Sequence, residues 1–285
     1  MKFSGIIVLF FVLSTTPIFA QGITTHHVTG KIYMLEGRGG NIGVSAGEDG
    51  LLIIDNQYAN MSTPIKEALA ALNMGELKMI VNTHFHGDHT GGNLELGQGV
   101  PIVAHDNVRV RLAKTRGKSM DDPAFRESLP VVTFSESASL HFNGEELKLV
   151  HFPHGHTDGD TVVYFANSNV VHMGDHFFVE KFPFIDIVNG GDVAQYMINV
   201  QNVLDTLPED VKIIPGHGPL ATKKDLEKFL ATIKETTDLV RAGMKKGTAK
   251  RDLQKAGLPE RFASHGTGFV NVKTWIGIVY DSYSK

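Results

Sequence analysis

The chain contains no cysteine, which excludes disulfides, thiolate metal sites and the lipidated cysteine that anchors a bacterial lipoprotein. Positive charge is also in short supply. Lys and Arg number 27 against 31 Asp and Glu, a formal net charge of −4. With no basic stripe and no aromatic-interleaved arginine cluster, nucleic acid is disfavoured as a partner. Low-complexity tracts and a solenoid period are missing too. The opening apolar run, Ile6 to Leu13, is too short to span a bilayer. What is present, 42% hydrophobic and 20% charged residues, is the balance of a folded, enzyme-sized body.

Lys2, the Ile6 to Leu13 run and Ile18-Phe19-Ala20 before Gln21 have the order of an export signal. Residues 1–20 are therefore expected to be a signal peptide cleaved after Ala20. Residues 21–285 then form one domain delivered to the periplasm or secreted, with no stable membrane anchor.

The stretch that organises the rest is Asn82-Thr83-His84-Phe85-His86-Gly87-Asp88-His89-Thr90-Gly91-Gly92-Asn93. It follows Met79-Ile80-Val81, a short apolar run of the kind a buried parallel strand shows. A tight loop there turns His84 and His86 towards one cation, while Asp88 and His89 project towards a second. Imidazole and carboxylate are the donors zinc takes when no thiolate is available. Gly87, Gly91 and Gly92 are expected to give the crowded loop its freedom and close approach.

His84-Phe85-His86-Gly87-Asp88-His89 resembles the signature of the metallo-β-lactamase superfamily. The resemblance implies further ligands downstream, and the chain supplies candidates in order. Pro153-His154-Gly155-His156-Thr157 is similar to the family's third-ligand loop, so His156 joins His84 and His86, while His154 is expected to be structural or to support a ligand. Gly174-Asp175 after an apolar strand matches the next element, making Asp175 a carboxylate able to bridge both metals. Ile213-Ile214-Pro215-Gly216-His217 delivers His217 to the second group with Asp88, His89 and Asp175. The implied cofactor is two Zn²⁺ per chain. Two cations about 3.5 to 4 Å apart bring the pKa of a shared water down to about 7, and Asp88 is the catalytic residue expected to orient it.

The implied fold is α/β, a four-layer αβ/βα sandwich of two mixed β-sheets with outer helices. The implied function is a hydrolase acting on a small-molecule substrate with an activated carbonyl bond: β-lactam, amide, lactone or ester. A glyoxalase II-like thioesterase, a phosphodiesterase and a zinc-binding protein without turnover remain alternatives. One departure bears on the choice, because zinc β-lactamases carry Cys or Ser where this chain has Asp175.

Other readings rest on the residues alone. The aromatic-rich run Phe177 to Asp192 suits a pocket wall, with Phe182 in it, Lys181 pairing a substrate carboxylate and Asn189 donating to a developing oxyanion. The glycine-rich turn Gly37 to Asn41 is placed to flank a substrate. Residues 115–129 read as a candidate lid, and His105 as a structural histidine. The helices after Lys223 read as packing.

Overall fold

The computed structural model describes residues 22–115 and 117–284; the expected leader, residues 1–20, lies outside them. The first sheet is laid down in chain order: β1 (Thr24–Thr29), β2 (Ile32–Glu36), β3 (Ile42–Gly47), β4 (Gly50–Ile54), β5 (Leu77–Asn82), β6 (Ile102–His105) and β7 (Val132–Phe134). Its first four strands are antiparallel neighbours, and β4 to β7 pair in parallel. The second sheet holds β8 (Ser137–Phe142), β9 (Glu145–His151), β10 (Thr161–Phe165), β11 (Val170–His172), β12 (Lys212–Ile214) and β13 (Ala221–Thr222), in the spatial order β13-β12-β11-β10-β9-β8. All its pairs are antiparallel except β11 with β12.

Side chains alternate faces along a strand, and β4 shows what that does here. Leu52 and Ile54 enter an apolar layer shared with Leu147, Leu149, Val163 and Phe165 of the second sheet. Leu51 and Ile53 point the other way, against Ile65 and Leu69 of helix Ser62–Ala71. A strand buried on both faces needs the unbroken apolar run found there. On the far side of the second sheet, Val162, Val171 and Ile213 pack against helices Val193–Thr206, Lys223–Lys245 and Val272–Tyr283. Three apolar layers separate helix, sheet, sheet and helix, which is the four-layer sandwich.

The topology aims the strands at one edge. Since β9 and β11 are each antiparallel to β10, and β12 is parallel to β11, β9, β11 and β12 all run the same way. The carboxyl end of β5 meets theirs: Thr161 N–H donates to the Thr83 carbonyl (2.8 Å), and Asn41 N–H to that of Gly216 (2.8 Å). Open α/β sheets place their sites at such edges.

Two expectations need correction. The described part of residues 115–129 contains a helix, Pro123–Glu127, with Phe125, Ser128 and Leu129 buried. The Ser128 carbonyl accepts from Asn93 (3.1 Å), so this segment buttresses the histidine-rich loop and does not line the central cavity. Gly87 has open space where a Cβ would stand, whereas Gly91 and Gly92 lie against the backbone of Gln57 and Asn56. Only the latter two need to be glycine for close approach.

Candidate metal centre

The site begins at the end of β4. Asp55 is buried with its backbone in the left-handed region (φ 66°), a conformation non-glycine residues adopt only when the surroundings enforce it. Its carboxylate accepts from the Thr83 N–H (2.8 Å), the Thr83 hydroxyl (2.7 Å) and His89 Nδ1 (2.7 Å). Beneath the loop, Asn56, Asn82 and Asn93 form a buried amide network. The one-turn helix Gly87–Thr90 then projects Asp88 and His89.

Two groups of potential ligands result. His84, His86, His156 and Asp175 bring donor atoms within 4.8 Å of one another, and so do Asp88, His89 and His217. Asp175 faces both. Its Oδ2 lies 3.3 Å from His156 Nε2 and 3.8 Å from His84 Nε2, while its Oδ1 lies 3.0 Å from His89 Nε2 and 3.3 Å from His217 Nε2. His84 Nε2, His89 Nε2 and Asp175 Oδ1 are buried without a hydrogen-bond partner. Buried polar atoms are rarely left so, and these converge in the manner of cation ligands. The residues present therefore fit a metal centre of imidazole and carboxylate donors.

The opposite ring atoms are held, which decides which nitrogen faces inward. His156 Nδ1–H donates to the Phe184 carbonyl (2.5 Å), and His84 Nδ1 lies 3.1 Å from the Thr83 hydroxyl, itself a donor to Asp55. His86 is reversed: Nε2 binds Asp186 (3.0 Å), leaving Nδ1 on the inner side, 2.8 Å from His156 Nε2. Asp186 also accepts from Asn189 (2.7 Å), whose own Oδ1 accepts from Arg111 (2.6 Å). Gly216 packs so closely that a Cβ there would strike Asp175 Oδ1.

The two groups differ electrostatically. Burial pushes His84 well below the usual imidazole range and His156 down to about 4, so both are neutral near pH 7, as a ligand must be. Burial also opposes charge on His89 and His217, but Asp175 outweighs it, with Asp55 helping on His89 and Asp88 on His217. The result lifts His89 well above its usual value and His217 to about 9. Burial would raise Asp175, yet His89, His217, His156 and His84 hold it well below the usual carboxylate range.

All seven expected metal ligands thus lie together, and Asp88 borders the cavity. The expected substrate contacts fare differently. Lys181 lines the cavity, but its ammonium donates to Thr267 Oγ1 (2.6 Å) and reaches the Ser264 carbonyl (3.4 Å). Phe182 touches the cavity yet is only 1% exposed, stacked on Trp275 (5.4 Å, 6°). Asn189 is not brought to the cavity, because its amide is spent on Asp186 and Arg111. His154 is exposed and contacts the Gly190 carbonyl. His105 caps helix Asp106–Leu112 and stacks on His151 (3.7 Å).

Asp55 and Asp186 are the functional residues the sequence reading missed. The available signal was a lone carboxylate closing or interrupting an apolar run, Ile53-Ile54-Asp55 and Ile185-Asp186-Ile187. Because Asp55 steadies one histidine of each group, Asp55→Asn is expected to lower metal affinity about 10- to 100-fold. Competition titration against a chromophoric chelator measures this, and an unchanged affinity would contradict the role assigned to Asp55.

The cavity of about 610 Å³ combines His86, Asp88, Asp175 and His217 with the aromatic side chains of Tyr58, Phe178, Phe184 and Phe269. Residues 35–219 match the family model described as the metallo-beta-lactamase superfamily. The chain is 24% identical over 180 residues to metallo-beta-lactamase type 2 of Bacteroides fragilis, spanning 60% of this chain and 68% of that protein. It is 29% identical over 143 residues to a hydroxyacylglutathione hydrolase of Pelagibacter ubique, spanning 50% of this chain and 52% of that one. Among solved structures, a metallo-beta-lactamase from Pontibacter korlensis superposes with a TM-score of 0.62 at 19% identity, covering 74% of this chain and 99% of its own. That likeness concerns the fold.

Proposed function

The chain belongs to the metallo-beta-lactamase superfamily, and on that premise we propose that it is an exported hydrolase. In this reading it holds two zinc ions and cleaves an activated carbonyl bond in a small molecule: a β-lactam, amide, lactone or ester. The observation that carries the reading is Asp175, whose two oxygens face two separate groups of imidazoles while buried ligand atoms on both sides lack partners. His84, His86 and His156 would hold one ion, Asp88, His89 and His217 the other, with Asp175 between them. Zinc bound there supplies Lewis-acid polarisation and a water of lowered pKa.

The chain's own residues do the rest. Burial disfavours charge on Asp88, but its hydrogen bond to His217 and the nearness of His89 outweigh that and keep its carboxyl below the usual range. It is therefore ionised at neutral pH, borders the cavity, and is placed to orient an attacking water and accept its proton on the carboxylate. Asp55 and Asp186 fix the imidazoles, and the aromatic walls limit bulk water around the reacting carbonyl. No serine or cysteine nucleophile is called for.

Within this class, a carboxylate at Asp175 favours substrates other than β-lactams. A thioesterase is the second reading, supported by the similarity to the hydroxyacylglutathione hydrolase. The proposed reading of Lys2 to Ala20 as an export signal would weigh against an intracellular thioesterase. The test is a panel of lactams, lactones, esters, thioesters and phosphodiesters assayed with and without chelator. Hydrolysis of a carbonyl substrate that chelator stops and zinc restores is expected; cleavage confined to phosphodiesters would overturn the reading.

Filling the second group must displace the protons that the raised His89 and His217 carry. Those imidazolium ions pair with Asp175, so their contribution to the stability of the metal-free fold is full below about pH 6.5; that of His217 fades as pH climbs through about 9, and that of His89 fades only well above its usual value. Affinity of the second group is therefore expected to rise about tenfold or more per pH unit between pH 6 and 8, and that of the first to change far less. Calorimetric zinc titrations in buffers of different ionisation enthalpy read the protons released. Equal pH dependence at both groups would contradict this assignment.

A further inference from the structure

We propose that the segment Gly268 to Val270, beyond the portion matching the family model, is the wall that selects the substrate's acyl side. Phe269 there seats an aryl or medium-chain alkyl group carried by a small organic anion. This rests on the cavity being the reaction site, and it adds the chemical class of substrate the site takes.

Phe269 is 89% exposed. A single exposed apolar side chain usually needs no explanation, but this one is not isolated. Its ring lies edge-on to Phe184 (5.8 Å, 81°), and Phe184 is 5.8 Å from His86 and 6.1 Å from His156. Aromatic surface therefore runs without a break from the imidazole ligands to the cavity mouth. Such a path suits an apolar substituent whose reacting carbonyl sits at the ligands.

The backbone beneath Phe269 is anchored, so its surface is preformed. Val270 is buried, Phe182 N–H donates to the His265 carbonyl (3.0 Å), and Lys181 ties down Thr267 (2.6 Å) and Ser264. Gly268 rests against the methylene stem of Lys181, so close that a Cβ would come within 3.3 Å of it. Lys181 thus acts as a strap for this wall. An anchored loop holding a bare aromatic ring loses little conformational freedom when a ligand covers that ring.

Charge narrows the class. Arg38, exposed in the Gly37 to Asn41 turn, borders the same cavity and makes no ion pair among the described residues. A cation beside an aromatic wall complements an amphipathic anion.

The test is calorimetric binding of two probes, 4-phenylbutanoate and butanoate, to the zinc-loaded protein, which requires no turnover. Phenylbutanoate is expected to bind about 10- to 100-fold more tightly, the gain from burying an aromatic ring. F269A should bring the ratio to within about threefold while butanoate binding holds, and F269L should keep most of the gain. In turnover, F269A should lower kcat/KM on a phenylacetyl substrate about tenfold or more and leave the acetyl analogue within about twofold. A ratio preserved in F269A, or equal losses on both probes, overturns the proposal. If the wild-type protein hydrolyses nothing on the panel, the hydrolase reading fails and the binding ratio alone decides the wall.

Discussion

Asp175→Ala is expected to empty both metal groups and abolish turnover together. The carboxylate is the one anion shared between the groups, buried and held well below the usual carboxylate range by four surrounding histidines. Without it His84 and His156, already neutral, keep their orientation but lose the anion beside them. His89 and His217 lose the charge that raised them. Metal content is expected to fall from two ions per chain to below one, with turnover down on the order of 10³-fold or more, the scale of losing a metal-assisted water. In the metal-free protein, breaking a buried ion cluster from one side costs about 3–5 kcal/mol, read as a lower midpoint in urea. Asp175→Asn keeps the shape without the charge, so it separates packing from electrostatics. A protein that binds two ions and turns over normally as Asp175→Ala has no bridging carboxylate.

Asp88→Ala and His86→Ala form the second large effect, and they differ in kind. Asp88 borders the cavity, and if it orients the attacking water as proposed, its loss is expected to cost about 10²- to 10⁴-fold in kcat, the range for a positioned acid or base. KM should change little, and the first group should keep its metal. His86 has its far nitrogen clamped by Asp186 (3.0 Å), so His86→Ala removes a candidate ligand and leaves the Asp186 carboxylate, among the described residues, with only its Asn189 donors. Metal loss from the first group should accompany its loss of turnover. Circular dichroism should show both variants folded, because both residues sit in the loop and one-turn helix after β5, while the sheets are held by apolar layers. Unfolding of both would mean that these residues serve the fold first.

The clustering of the candidate ligands was legible because these residues follow apolar strands within a few positions and stand beside a glycine or a turn, in the order the family resemblance implies. His84 after β5, Asp175 after β11 and His217 after β12 are local facts of the chain. The specific sandwich comes from the family resemblance; the apolar run Leu51-Leu52-Ile53-Ile54 is consistent with it, since a strand covered on both faces carries such a run.

What holds the ligands in place was not local. Asp186 meets His86 across 100 residues of chain and Asp55 meets His89 across 34, and nothing in either segment names the partner. Asn189 lies near the end of the aromatic-rich run Phe177 to Asp192 and reads as a donor to a developing oxyanion, yet Arg111, on a helix far upstream, claims its side-chain and backbone carbonyl oxygens. The tail read as packing, and its helices are packing. The turn Gly268 to Val270 nonetheless walls the cavity, and a loop this short carries no periodicity to show where it lands.

The most direct measurement is zinc titration of the metal-free protein with turnover followed at each addition. The account predicts that activity appears as zinc binds, saturates at two ions per chain, disappears with chelator and returns on re-addition. Undiminished turnover by protein carrying less than about a tenth of an ion per chain would contradict it.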